Sequence, residues 1–422
     1  RWLKIYPCTP QAILQEGEEL MGTKPFWRTW PWFLGSLGFF FDSFDVFIFS
    51  YVLPAVASEW ALNPREQGWL ISSGFIGMAV GAFVAGLLAD RYGRRLIFLA
   101  TMLLYSLGTG VSALATGLWV MVLLRFIVGL GLGGEMPIAS TYVSESVQVH
   151  ERGRAVVLAD SFWALGSLVA AMAGRAFVPT LGWRETLLIA AFPAVAALAI
   201  RRSLPESKQF AVARREERVA FRKLFAPEAR RATLVLWTLW VTVNFAYYGM
   251  FLWLPSLMLE RGFTLVKSFE YVLLMTLAQL PGLISAAWLV ERLGRRFVLA
   301  VYLLGTAVAA YGFGHATATT WLLIFGAWLN FFNLGAWGAL YAYTPELYPT
   351  ALRARGAGAA GAMGRVAAIV SPSVVGILLA NGVSQATVFS LFFVVLFVGV
   401  GAVTLFGPET KPSLAGEVSV AR

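Results

Sequence analysis

Asp90-Arg91-Tyr92-Gly93-Arg94-Arg95 returns about 201 residues later as Glu291-Arg292-Leu293-Gly294-Arg295-Arg296. Further echoes follow in the same order. Glu145 returns as Glu346, Arg152 and Arg154 as Arg353 and Arg355, and Leu204-Pro205-Glu206-Ser207 as Gly407-Pro408-Glu409-Thr410. One coincidence would mean little, but four on one expected face imply two halves of the same orientation. Between the echoes the chain is almost wholly apolar. Of 422 residues 58% are hydrophobic and 13% charged, and the mean hydropathy is +0.70. A soluble chain carries about 25% charged residues, so this one is read as an all-α membrane protein embedded in a lipid bilayer.

Apolar runs of about 20 residues cross a bilayer, and twelve are found, at roughly 30–57, 68–89, 96–116, 119–143, 155–178, 185–203, 232–258, 269–290, 297–314, 320–343, 357–380 and 384–406. They divide the chain into an N-terminal segment (1–29), a six-helix half (30–203), a polar and basic linker (204–231), a second six-helix half (232–406) and a tail (407–422). The net charge of +10 does not point to nucleic acid, because the 33 basic residues fall mostly between alternate spans. Arg91, Arg94, Arg95, Arg152, Arg154, Arg292, Arg295, Arg296, Arg353 and Arg355 share one side. The other side holds only Arg65, Arg184, Arg261 and Lys267. This positive-inside bias, with Lys24 and Arg28 before the first span, places both termini in the cytoplasm of a cell inner (plasma) membrane. The first apolar run is too long and too late for a cleaved signal, and no function is placed before Met21. Cys8 excludes an internal disulfide, while His150 and His315 lack zinc-ligand spacing. No cofactor or metal is expected, and a monomer is.

Gly86-Leu87-Leu88-Ala89-Asp90-Arg91-Tyr92-Gly93-Arg94-Arg95 resembles the loop signature of the major facilitator superfamily, and Arg125-x-x-x-Gly129-x-Gly131-x-Gly133-Gly134 resembles its fourth-helix signature. The resemblance implies the major facilitator fold, two six-helix halves with substrate held between them near the midplane. Gly129-x-Gly131-x-x-Gly134 also fits a dinucleotide fingerprint, but it lies inside an apolar span with no strand before it; close helix packing is the better reading. No Gly-x-x-x-x-Gly-Lys-Ser/Thr occurs, and no Ser/His/Asp set is discernible, so neither direct ATP drive nor an enzyme is expected.

The charged loops carry two readings. One has them solvating helix ends. The other is a cytoplasmic gate in which Asp90, Arg94, Glu145, Arg154 and Glu206 pair when that side is closed, with Glu291, Arg295, Glu346, Arg355 and Glu409 doing likewise. Exposed pairs contribute about 0–1 kcal/mol each, but a network can bias two conformations separated by a few kcal/mol.

Charges inside spans are costlier, about 2.5–3.5 kcal/mol each at the centre. Asp42, Asp45, Arg125, Glu135, Asp160, Arg175 and Arg365 qualify. With a rise of 1.5 Å per residue, Asp45 lies about 21 Å from the inner face and Arg125 about 9 Å from the outer. In a core about 30 Å thick those depths coincide, so the two can pair, and protonating Asp45 would release Arg125. The pair also sits where proton-coupled sugar porters carry one; a purely structural ion pair is the alternative. Asp42 is read as a second proton site or a packing residue, Glu135 and Asp160 are unresolved, and Arg175 can snorkel. Arg365 stands about 12 Å into the eleventh span with no acid on its own helix. It meets either an anionic ligand or an acid elsewhere, such as Asp42 or Glu135. Its span, from Gly364 to Pro372, resembles that of organic-anion transporters, where an arginine takes the substrate carboxylate.

Helical spacing puts Asn244, Tyr247, Tyr248 and Phe251 near one face and aligns Asn330, Asn333, Trp337 and Tyr341 on another, with Trp163 and Gln279 added from the fifth and eighth spans. Flat rings with amides and phenols suit a small planar polar substrate. By depth, Tyr341 lies near the cytoplasmic mouth and is a weaker candidate than Asn333. The stretches Tyr247–Pro255, Ser268–Gly282 and Phe331–Gly338 resemble bacterial niacin permeases, relatives of synaptic vesicle glycoprotein 2, whose ligand pocket uses aromatics at positions like Trp163, Tyr247, Tyr248 and Trp337. That resemblance, spanning about residues 30–411, implies nicotinate transport by alternating access, coupled to protons. The vesicle protein's acid one turn after the helix-ten tryptophan is Tyr341 here, which favours an anionic ligand. Residue chemistry alone reaches a small aromatic acid, so a benzoate-type carrier stands beside it, as does a transport-inactive receptor.

Overall fold

The computed structural model describes residues 27, 29–145, 147, 152–193 and 221–410. The first half contains α1 (Trp30–Glu59), α2 (Pro64–Tyr92), α3 (Arg94–Ser112), α4 (Leu118–Glu145), α5 (Arg152–Leu181) and α6 (Trp183–Ala190). The second opens with a 3-10 turn (Phe221–Phe225), followed by α7 (Pro227–Phe251), α8 (Leu254–Glu260), α9 (Leu265–Thr276), α10 (Gln279–Leu293), α11 (Arg295–His315), α12 (Thr319–Glu346), α13 (Thr350–Ala380) and α14 (Gln385–Gly401), which winds into a π turn (Ala402–Phe406). No strand occurs among the described residues. Ten helical stretches among them are long and apolar enough to cross a membrane, and Leu96–Ser112 is a shorter apolar helix. The sixth expected span, 185–203, is described only to Pro193.

Local chemistry sets the boundaries. Asn63 accepts from Glu66 N at 3.0 Å while its own N–H donates to Glu66 at 2.9 Å, a capping box with Pro64 as the first helical residue. At the far end of α2, Gly93 turns the chain with φ 96° and ψ 147°, and Gly294 repeats the turn between α10 and α11 with φ 95° and ψ 159°. Any side chain is strained at such a φ, so the repeated loop is one backbone conformation built twice.

Two expected spans are not continuous. The run at 232–258 breaks between α7 and α8, and that at 269–290 breaks between α9 and α10. Pro255 and Pro281 lack the N–H that would bond the carbonyls of Phe251 and Leu277, and each proline ring crowds the preceding turn. Hydropathy does not register the missing donors.

The glycines of α4 are packing residues. A Cβ on Gly129 would lie 2.0 Å from Gly74 O, and one on Gly133 would lie 1.9 Å from Met78 O, so α2 and α4 touch backbone to backbone. Gly133→Val is expected to cost about 3 kcal/mol, read as a fall in the unfolding midpoint. Gly86→Val, where a Cβ would meet nothing within 4 Å, should stay within about 1 kcal/mol.

Hydrogen bonds join the halves at several points. Ser50 Oγ donates to Leu252 O at 2.7 Å and Ser72 Oγ to Ile369 O at 2.7 Å, and Ser72 and Ser373 hydroxyls lie 2.7 Å apart. Trp163 Nε1 donates to Tyr247 Oη at 2.9 Å and Ser167 Oγ to Gln279 Oε1 at 3.0 Å. The start of α2 also abuts the end of α13, where a Cβ on Gly376 would lie 2.4 Å from Pro64 O. These contacts hold the halves together at mid-depth and toward the face opposite the basic loops.

Candidate substrate site

Aromatic residues meet where α5, α7 and α12 converge. Tyr247, with its hydroxyl fixed by Trp163, stands at the centre. Its ring centroid lies 5.0 Å from Tyr248, 4.9 Å from Phe251, 6.0 Å from Phe47 and 5.7 Å from Trp337. Trp337 continues to Tyr341 at 5.6 Å, and Trp240 closes the group at 5.7 Å from Trp337 and 5.4 Å from Tyr341. Tyr248 leans on Phe75 of α2 at 4.6 Å. The structure thus brings Trp163, Tyr247, Tyr248, Trp337 and Tyr341 together. Tyr341 is a full member of the group although its depth counted against it.

Beside the rings runs a polar relay. Gln279 accepts from Ser167 and donates through Nε2 to Asn330 Oδ1 at 2.9 Å, and Asn330 Nδ2 donates to Gly326 O at 2.8 Å. Asn333 behaves differently. It is buried, yet both polar atoms of its amide lack a partner among the described residues, as does Trp337 Nε1. Buried polar groups are nearly always satisfied, so these atoms have hydrogen-bonding capacity left unused by the described residues.

Arg365 projects from α13 half-buried, and no hydrogen bond or ion pair holds it among the described residues. It lies within electrostatic reach of Asp42, Tyr248 and Tyr341. The neighbouring Gly364 packs on α7, where a Cβ would lie 2.5 Å from Asn244 Nδ2. Asn244 itself donates to Trp240 O at 2.7 Å and so is committed to its own helix.

In the first half Arg125 Nη2 meets Asp45 Oδ1 at 3.0 Å, with both side chains buried. Thr109 donates to the other carboxylate oxygen, and the guanidinium stands 4.3 Å over the Phe49 ring. Asp42 and Glu135 are buried without a hydrogen-bond partner among the described residues.

The second-half residues expected to form a gate partly assemble. Arg295 pairs with Glu346 at 3.1 Å and with Glu291 at 3.1 Å, while its backbone N–H donates to Glu409 at 2.9 Å. Thr410 adds a hydrogen bond to Glu346. These contacts tie α10, α11 and α12 to Glu409 and Thr410 and involve no residue of the first half. Arg355 is half-buried on α13 outside this cluster. The side chains of Asp90, Arg94, Glu145 and Arg154 lie outside the described residues, as does the whole of Glu206.

Sequence reasoning missed Trp240, Thr109, Phe49, Phe47 and Phe75. Trp240 was findable, one turn before Asn244 on the same stripe. The others are ordinary apolar or hydroxyl positions until α1, α2 and α3 are packed against their partners.

A doubly repeated helical membrane protein with an aromatic cluster between its halves has the build of a carrier. The chain belongs to the Major Facilitator Superfamily, whose family model matches residues 35–287 and 271–421. It is 43% identical over 417 residues to the niacin transporter NiaP of Acinetobacter baylyi, covering 92% of this chain and 95% of that one. It is 49% identical over 381 residues to a Bacillus subtilis protein provisionally named niacin/nicotinamide transporter NiaP, covering 90% and 95%. A synaptic vesicle 2-related protein of Xenopus laevis is 29% identical over 434 residues, covering 89% and 78%. Among solved structures, the xylose transporter XylE from E. coli, partially occluded and inward open, superposes with a TM-score of 0.75 at 18% identity, covering 90% and 98%. That likeness bears on the fold alone. The protein is therefore a multi-pass membrane transporter by family, and its relatives are named transporters, not enzymes.

Proposed function

We propose that this transporter imports nicotinate by alternating access, coupled to protons, with its termini and basic loops in the cytoplasm of the inner (plasma) membrane. The observation that carries the reading is Arg365, a half-buried guanidinium with no bonded partner among the described residues, within electrostatic reach of Tyr248 and Tyr341 of the aromatic group, whose α12 members share their helix with the unsatisfied amide of Asn333. Nicotinate matches each part: its carboxylate suits the arginine fork, its flat ring suits Tyr247 and Trp337, and its polar edge suits Asn333. The names of the two bacterial relatives support the same substrate. Residues 30–203 and 232–406 act as the two moving halves, joined by 204–231. Asp45, Arg125 and Asp42 serve proton coupling, the charged loops serve as the cytoplasmic gate, and the carrier works as a monomer.

Labelled nicotinate counterflow in proteoliposomes tests movement; its absence with binding retained would turn the reading toward a receptor. Uptake with and without an inward pH gradient tests coupling. Nicotinamide, which lacks the carboxylate, should compete about 10- to 100-fold less well than nicotinate. A benzoate that competes as well as nicotinate would favour the benzoate-type carrier.

A further inference from the structure

Between α1, α3 and α4 two carboxylic acids are buried with no bonded counter-charge among the described residues. Asp42 and Glu135 are each 0% exposed, and none of their four carboxylate oxygens has a hydrogen-bond partner within 3.5 Å among those residues; the Tyr105 hydroxyl, likewise without one at that distance, faces Glu135 as its nearest candidate partner. Glycines bring the groups together. A Cβ on Gly38, one turn before Asp42, would lie 3.1 Å from Glu135 Oε1. A Cβ on Gly131, one turn before Glu135, would lie 2.7 Å from Tyr105 N. All three groups are within electrostatic reach of one another.

Asp45, the next acid along α1, is in a different situation, neutralised by Arg125 at 3.0 Å and bonded by Thr109. Two unpaired carboxylates in so dry a place cannot both stay ionised. Among the described residues the other charges facing them are Asp45 from α1, Arg125 from α4 and Arg365 from α13, and Arg125 is paired with Asp45 through Nη2. Among the described residues the remaining cation within reach of Asp42 is Arg365, the residue to which the substrate carboxylate is assigned above.

We propose that Asp42 and Glu135 form a carboxyl pair that takes up one proton when nicotinate engages Arg365. The anion cancels the field that favours a charged Asp42, and a proton from water adds to a carboxylate oxygen of the pair, with Tyr105 beside it. Substrate and proton thereby load together, without a bond between them. This inference rests on the nicotinate reading and deepens it.

The test is proton uptake by the purified full-length chain in weakly buffered solution as nicotinate is added. Wild type should take up about one proton per nicotinate bound, and Asp42→Asn and Glu135→Gln should each cut that at least about fivefold. Uptake within twofold of wild type in both variants, with nicotinate bound, overturns the proposal. Where a variant no longer binds nicotinate, infrared spectroscopy decides. The carboxylic-acid C=O stretch of wild type should be lost in Asp42→Asn/Glu135→Gln, and an unchanged band overturns the pair. A wild type that does not bind nicotinate at all sinks the transport reading instead, and the infrared comparison still judges the pair.

Discussion

Replacing Arg365 with Gln is expected to lower nicotinate uptake by at least about a hundredfold, the worth of about 3 kcal/mol in a charged hydrogen-bonded contact. Gln keeps much of the length and hydrogen-bonding capacity but removes the charge, so the loss reports the carboxylate pairing. Arg365→Lys should recover only part of the activity, because an ammonium offers a point charge where a guanidinium offers a planar fork. No salt bridge among the described residues is broken by either change, so the unfolding midpoint should hold while transport falls. Initial rates of labelled uptake together with direct binding check this. Uptake within threefold of wild type in Arg365→Gln would remove the central support for an anionic substrate.

Arg125→Met should destabilise the folded protein by about 3–5 kcal/mol, because it strands the Asp45 carboxylate in an apolar interior. The Asp45–Arg125 contact is buried on both sides and shares a wall with Phe49, so little water reaches a stranded charge. The double variant Asp45→Asn/Arg125→Met removes both charges and should recover most of that loss. In that background Thr109 can still bond the side-chain amide that replaces the carboxylate. Thermal unfolding of the single and double variants checks the ordering. A double variant less stable than Arg125→Met would mean that the pair contributes more than mutual neutralisation.

The doubling of the fold was legible because charge is scarce in this chain, so each charged loop stands out and its echo can be recognised. The Asp45–Arg125 pair was legible because both depths follow from helical rise alone, and the structure places the two residues in contact. Trp163, Tyr247 and Trp337 could be named from spacing and resemblance, but their meeting could not. The bond from Trp163 to Tyr247 crosses 84 positions of sequence and depends on how the halves lie against each other. Trp240 was within reach, one turn before Asn244 on the same stripe, but in a chain with 16 tryptophans one more indole is easily counted with the lipid-facing ones. The isolation of Asp42 and Glu135 was hidden for a different reason. Sequence shows which acids are present, whereas lacking a partner is a property of everything packed around them.

The breaks at Pro255 and Pro281 lie close to the aromatic residues. One follows Tyr247 by a little over two turns, and the other sits within the first turn of the helix that begins at Gln279. At both points the chain has already given up a rung of its backbone ladder in the resting fold. Bending there to clasp a guest sacrifices no additional rung. On the nicotinate reading the second half thus carries ready-made joints at the height of its cargo, where each rod could swing without unwinding.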